Sequence, residues 1–182
     1  NAAHGDVQRW RAQWLQRPQW NIAINAGESG LCIIDCDIDK DDPSSWAGPF
    51  DEDGVDISVR PVEPGITTFL SMCDNNNFDM ETTYCVNTPS GGVHVYFKMR
   101  DDQWVPMSTG RVGVEGYVRR RIIPTKVDVR AWGGYVLGVG AEVDGEPYEH
   151  FGADSPIELP KWLEDLVTPP PISLESIATR SK

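Results

Sequence analysis

Basic residues are scarce in this sequence: 16 Lys and Arg stand against 28 Asp and Glu, a formal net charge of −12. A chain of that charge repels nucleic acid at long range, which argues against non-specific coating of DNA. Long apolar runs are also missing. No segment approaches the ~20 residues that a membrane-spanning helix needs, so no membrane role is expected. No basic-then-apolar leader opens the chain, which points to an intracellular protein. Cysteines number only four, Cys32, Cys36, Cys73 and Cys85. They lack the paired short spacings of a zinc site, and they are too few for a disulfide scaffold of this size. Free, mostly buried thiols are expected.

What is present suffices for a core. The 182 residues are 40% hydrophobic and 24% charged, which excludes wholesale disorder. The length suits one generous domain or two small lobes sharing a cleft. The charge is polarised. Asp35 to Asp56 holds nine acidic residues and one Lys, whereas Val118 to Arg130 holds five basic residues and one acid, Asp128. Each block also reads as an ordinary solvated face.

Val7, Trp10 and Trp14 recur at helical spacing, so residues 5–17 read as a helix capped by Asp6 and ended by Pro18. Residues 21–25 are a short strand, and Gly30 to Ile38 is the most strand-like run of the chain. Residues 39–65, rich in Asp, Pro, Gly and Ser, read as a loop with one extended piece at 55–60. Residues 66–74 read as a helix stopped by Asn75-Asn76-Asn77. Residues 82–87 and 93–99 are strands around Thr88-Pro89-Ser90-Gly91-Gly92. Residues 100–126 are irregular and end basic. Residues 126–139 read as two strands with Gly133-Gly134 between them, a hairpin signal. A closing helix spans 160–167 with Pro in its first turn. Irregular alternation of helices and strands indicates an α+β or mixed α/β domain over 1–167. Residues 168–182, opening on Thr168-Pro169-Pro170-Pro171, read as a linker or tail toward a further domain.

Three pieces could carry chemistry. In Asp35-Cys36-Asp37 the two carboxylates project from one face of a strand, with Cys32, Ile34 and Cys36 on the other. Their mutual repulsion is removed by a divalent cation, and hard oxygen donors suit Mg²⁺ or Mn²⁺. The plain alternative is a strand end entering an acidic loop. A calcium loop fails, because Lys40 stands where its Gly is needed and Trp46 where its Glu belongs. In the second piece, Ser90 with Gly91 and Gly92 would free backbone N–H groups for an anion, and His94 on the next strand could donate to a phosphate oxygen. An ordinary hairpin turn is the alternative. In the third, Val127, Val129 and Ala131 take one face, and Asp128 and Arg130 take the other. A third carboxylate beside an Arg would complete a metal and phosphate site; a surface Asp and Arg on a half-exposed strand is the alternative.

In order and spacing these pieces resemble the bifunctional primase-polymerase (Prim-Pol) domain of the archaeo-eukaryotic primase superfamily, found in plasmid and phage replication proteins. The carriers are the apolar strand ending in Asp35-Cys36-Asp37, Thr88-Pro89-Ser90-Gly91-Gly92-Val93-His94-Val95-Tyr96-Phe97, and Val127-Asp128-Val129-Arg130 before Gly133-Gly134-Tyr135-Val136. The flanks Asn21-Ile22-Ala23-Ile24 and Leu159-Pro160-Lys161-Trp162-Leu163 match too. The resemblance covers about Trp20 to Val167.

The resemblance implies an α+β, two-lobed primase-polymerase fold with an RRM-like sheet and the active site in the cleft between lobes. It implies catalytic Asp35, Asp37 and Asp128 as ligands of two divalent cations, Mg²⁺ or Mn²⁺. It implies Ser90 and His94 on the triphosphate of the incoming nucleotide, joined by Arg130. The implied reaction is template-dependent nucleotidyl transfer in DNA replication, primer synthesis or DNA polymerisation. Its partners would be a single-stranded DNA template, an NTP or dNTP, and a replicative helicase fused to or working with the domain in a prokaryotic cytoplasm. Members usually carry a further stretch before the first helix, with a basic residue and a proline. Ala141 stands where many members have a hydroxyl residue after Gly140. Some relatives carry a zinc-binding stem, but Val95 to Val127 has no Cys, so no structural zinc is expected. Arg119, Arg120, Arg121 and Lys126 could grip template phosphates, or form a solvated basic loop. The rivals are a metal-dependent nuclease or phosphodiesterase using the same acids, and a non-catalytic single-strand or origin DNA-binding module. The intact acids and His94 argue against the latter.

Overall fold

The computed structural model of the protein describes residues 7–38, 65–107 and 126–168. Arg119, Arg120 and Arg121, the extended piece expected at 55–60 and the tail from 169 lie outside the described residues. In chain order the elements are α1 (Val7–Gln16), β1 (Ala23–Asn25), β2 (Leu31–Cys36), α2 (Gly65–Asn75), β3 (Tyr84–Asn87), β4 (Val93–Lys98), β5 (Val127–Arg130), β6 (Tyr135–Leu137), β7 (Glu142–Val143), β8 (Glu146–Pro147), β9 (Glu149–Gly152), β10 (Ile157–Glu158) and α3 (Lys161–Val167). The domain is α+β, as expected.

The main sheet runs β5-β2-β4-β3-β9 with antiparallel neighbours, and β10 lies parallel to β4. β3 reaches only to Tyr96 along β4, and β10 takes over the edge at Phe97 and Lys98. Thr83 makes the splice. Its buried hydroxyl donates to the Tyr96 carbonyl and accepts the Ile157 N–H at 3.1 Å.

Strand alternation sorts the sheet into two faces. Cys32, Ile34 and Cys36, Val93, Val95 and Phe97, and Val127 and Val129 form one face. They bury against Phe69 and Cys73 of α2 and Leu163 and Val167 of α3. Burying each such side chain contributes roughly 1.5–3 kcal/mol, so this layer fixes the sheet's register. On the other face, Ile33, Val86 and Tyr96 pack with Ala26 and Val136. That second cluster leaves the Asp35 end of the face to polar side chains. All four thiols are free and buried, as the sequence indicates.

The expected hairpin about Gly133-Gly134 does not form. β5 pairs with β2, whereas β6 pairs with β1 in a separate two-stranded ribbon. The backbone between them is committed elsewhere. The Ala131 carbonyl accepts the Gly27 N–H at 3.1 Å, and the Gly134 carbonyl accepts the Ala26 N–H at 3.1 Å. The Trp132 N–H donates to Val105 at 3.0 Å. The two glycines carry the chain across rather than back. Gly133 has φ +88, and a Cβ on Gly134 would lie 2.9 Å from the Arg130 Cα.

Candidate metal and nucleotide site

β2 lies between β4 and β5, and its register places Asp35 opposite His94 on one side and Asp128 on the other. The same alternation that buries Ile34 and Cys36 turns these three side chains to the far face. Asp37 follows β2 directly. Its N–H donates to the Lys126 carbonyl at 2.8 Å, and its carbonyl accepts the Gly65 N–H at 2.7 Å. The residue is thereby pinned between the start of α2 and the residue before β5. Only glycine fits at 65, since a Cβ there would lie 2.0 Å from the Lys126 carbonyl oxygen. The outcome is that carboxylate oxygens of Asp35, Asp37 and Asp128 all lie within 4.8 Å of one another.

Three negative groups this close must be compensated. Arg130 supplies part of it. Its Nε donates to Asp35 Oδ2 at 3.0 Å and a terminal nitrogen donates to Asp128 Oδ2 at 2.7 Å. His94 Nε2 lies 3.3 Å from Asp35 Oδ1. Burial pushes the Asp35 carboxyl up, but His94 and Arg130 together outweigh it and hold Asp35 below its ordinary range. Asp37 behaves in the opposite way. Burial, then the charges of Asp35 and Asp128, push it up despite Arg130 and Lys126. The uncompensated charge of the cluster therefore sits at Asp37.

The turn at 88–92 departs from expectation in one respect. Gly91 and Gly92 do not free their N–H groups for an anion. The Gly91 N–H donates to the Thr88 carbonyl at 2.9 Å, and the Gly92 N–H donates to Thr88 Oγ1 at 3.0 Å. Glycine is needed for other reasons. Gly91 has φ +87, and a Cβ on Gly92 would lie 2.6 Å from the Cys36 carbonyl oxygen and 3.5 Å from the Asp37 Cα. The turn is thus pressed against the end of β2. Ser90 Oγ, half-buried, lies 2.9 Å from Thr88 Oγ1.

The structure therefore brings together Asp35, Asp37, Asp128, His94 and Arg130, with the Ser90 turn against the backbone of Asp37. Lys126 adjoins them through its carbonyl. Arg119, Arg120 and Arg121 are outside the described residues. Tyr148 is a neighbour that the sequence reading missed. Its ring centroid is 5.8 Å from that of His94, and burial followed by the charges of Asp35 and Asp37 pushes its phenol up. Nothing in the Gly-, Glu- and Pro-rich stretch around it singles it out. His94 Nδ1 is buried with no hydrogen-bond partner among the described residues.

A sheet whose neighbouring strands β2 and β5 present clustered carboxylates, flanked by a His and an Arg, defines a domain that could hold a divalent cation. The chain belongs to the bifunctional DNA primase/polymerase N-terminal (Prim-Pol) family, whose pattern matches residues 1–162. No curated protein matches the chain. Membership implies DNA and nucleotides as substrates. Among the described residues no helix is long and apolar enough to cross a membrane.

Proposed function

We propose that the chain carries out template-dependent nucleotidyl transfer, as primer synthesis or DNA polymerisation, with Asp35, Asp37 and Asp128 holding two divalent cations, Mg²⁺ or Mn²⁺. The observation that carries the reading is the convergence of these three carboxylates from β2 and β5, within 4.8 Å of one another. The donor set fits: all three are hard oxygen ligands, and Asp37 bears surplus negative charge that a cation would relieve. When bound, the cations supply charge stabilisation as a 3′-hydroxyl attacks the α-phosphorus and pyrophosphate leaves.

The chain's own residues hold and orient. Asp35, locked between His94 and Arg130, presents its carboxylate in a fixed rotamer. Arg130 lies beside the acids with a guanidinium suited to bidentate phosphate contact. Ser90 and His94 are the proposed contacts to the triphosphate. On the same reading the site lies in a cleft between two lobes, and residues 168–182 lead to a further domain. The setting is a phage or plasmid replication protein in a prokaryotic cytoplasm, working with a replicative helicase. Arg119, Arg120, Arg121 and Lys126 remain proposed template contacts.

The test is incorporation of labelled ribo- and deoxynucleotides on single-stranded DNA, with and without a primer, in Mg²⁺ or Mn²⁺. Asp37→Asn should abolish incorporation, while His94→Ala and Ser90→Ala should raise the nucleotide KM and leave template affinity unchanged. Metal-dependent cleavage of the template without incorporation would establish a nuclease instead.

A further inference from the structure

Outside the acidic site, the feature with no assigned role is α1 and the turn that follows it. Residues 7–20 contain Arg9, Arg11, Arg17, Trp10, Trp14 and Trp20 and no Asp or Glu, within a chain of net charge −12. No residue of α1 is buried. Trp10, Trp14 and Trp20 are 45%, 48% and 48% exposed. At 3.6 residues per turn Val7, Trp10, Arg11 and Trp14 share a face. Single exposed aromatics are ordinary, but a cluster of this kind marks an interaction surface.

The cluster is organised by its own bonds. The Trp14 indole N–H donates to the Trp20 carbonyl at 3.1 Å. The Arg17 and Trp20 N–H groups donate to the Trp14 and Arg17 carbonyls, each at 3.0 Å. The Arg17 guanidinium stands 4.2 Å above the Trp20 ring. Next along the chain, Asn21 is tied to the main body by reciprocal bonds with the Glu142 backbone, at 2.7 and 3.0 Å. The platform is therefore anchored at its C-terminal end and ordered before any partner arrives, which lowers the entropic cost of binding.

We infer that α1 and Trp20 form a docking surface for single-stranded DNA. Every base has a π face that stacks on an exposed indole, and guanidinium groups meet backbone phosphates whatever the sequence. Charge complementarity selects the occupant. The segment is purely basic in an acidic protein, so a polyanion is attracted locally where the molecule as a whole repels it. A second copy packed about a two-fold axis would set arginines against arginines. Only the choice of a DNA strand rests on the polymerising function proposed above.

The experiment is binding of a labelled 20-residue oligo-dT to the full chain, followed by anisotropy in chelator across a salt series. Arg11→Gln/Arg17→Gln should weaken binding about tenfold at low salt and lower the salt slope by roughly 1.4, at about 0.7 per contact. Trp10→Leu should weaken it several-fold, and Trp10→Phe should restore most of the loss. Circular dichroism should be unchanged, since neither arginine nor Trp10 is buried. Unchanged affinity in the double arginine variant, or no binding by the parent chain, would overturn the assignment. So would a dimer in sedimentation that Trp10→Leu dissociates while strand binding persists, which would assign the face to a second copy. Strand binding through α1 by a protein that incorporates no nucleotide would sink the polymerising function and leave this inference standing.

Discussion

Arg130 bridges two carboxylates on neighbouring strands, with Nε 3.0 Å from Asp35 Oδ2 and a terminal nitrogen 2.7 Å from Asp128 Oδ2. The guanidinium occupies ground that a cation on those acids would share. It steadies the metal-free acids and opposes metal entry by like-charge repulsion. Arg130→Gln should therefore bind Mn²⁺ several-fold more tightly than the parent, by calorimetric titration. In chelator the same variant should lose about 1.5–3 kcal/mol, the worth of hydrogen bonds to charged groups. Weaker Mn²⁺ binding in the variant would show that Arg130 orients the ligands instead of competing with the ion.

Asp35 and Asp37 should respond to pH with opposite signs. Asp35 is held below its ordinary value, so its ionised form stabilises the fold. That stability is present above an unfolded pKa of about 3.9 and is lost as pH falls through the lower folded value. Asp37 is pushed up, so stability is lost as pH rises from the unfolded pKa of about 3.9 through the raised folded value, above which the cost is constant. In chelator at neutral pH, Asp35→Asn should lower the melting temperature and Asp37→Asn should raise it. Each kcal/mol corresponds to roughly 2–4 °C in a domain of this size. The gain from Asp37→Asn should vanish below about pH 4, where the parent side chain is protonated in both states. Shifts of the same sign for the two variants would contradict the assigned asymmetry.

The asymmetry itself was not legible in the sequence, although its ingredients were. Alternation alone set Asp35 on the face opposite Cys32, Ile34 and Cys36, and His94 and Tyr96 opposite Val95 and Phe97. The pairing of Asp35 with both His94 and Asp128 depends on β4 and β5 flanking β2, a long-range choice that no local pattern encodes. The double glycine at 133–134 was misleading for the same reason. Glycines permit a reversal and a crossing equally, and the partners at Ala26, Gly27 and Val105 decided for crossing. β9 and β10 carry no strand signal in the sequence, because their residues are mostly exposed edge positions, Glu149-His150-Phe151-Gly152 and Ile157-Glu158, without an apolar alternation. In the 88–92 turn the glycines mark a tight reversal, but their N–H groups are bonded to Thr88. The constraint lies in the missing Cβ atoms, not in free N–H groups.

The thiols should be inert in the folded protein. Burial pushes Cys32 and Cys85 up to about 12, and burial with the charge of Asp74 pushes Cys73 up to about 11. At pH 8 a thiol of pKa ~12 is ionised to roughly one part in 10⁴, and only the thiolate attacks. A disulfide reagent should titrate no thiol rapidly under native conditions and four after unfolding, the full count of the chain. One rapid thiol in the native protein would place a cysteine outside the core.

Gly91 and Gly92 are adjacent, yet substituting them should have different consequences. A Cβ on Gly92 would lie 2.6 Å from the Cys36 carbonyl oxygen, which is backbone and cannot rotate away. Relief requires the end of β2 to move, and Asp37 must move with it. Asp37 is held by Lys126 on one side and Gly65 on the other, so the strain falls on the acidic cluster. Gly92→Ala should cost about 1–3 kcal/mol, the usual range for overpacking, and should weaken Mn²⁺ binding several-fold. Gly91→Ala meets only the Ile38 side chain, at 3.1 Å, and its difficulty is the φ of +87. It should cost about 1–2 kcal/mol through the left-handed backbone and leave metal affinity within twofold of the parent. Melting in chelator and Mn²⁺ titration of the two variants separate strain at the metal ligands from strain in the turn. Equal losses of metal affinity would mean that the turn as a whole, and not the contact at Cys36, positions Asp37.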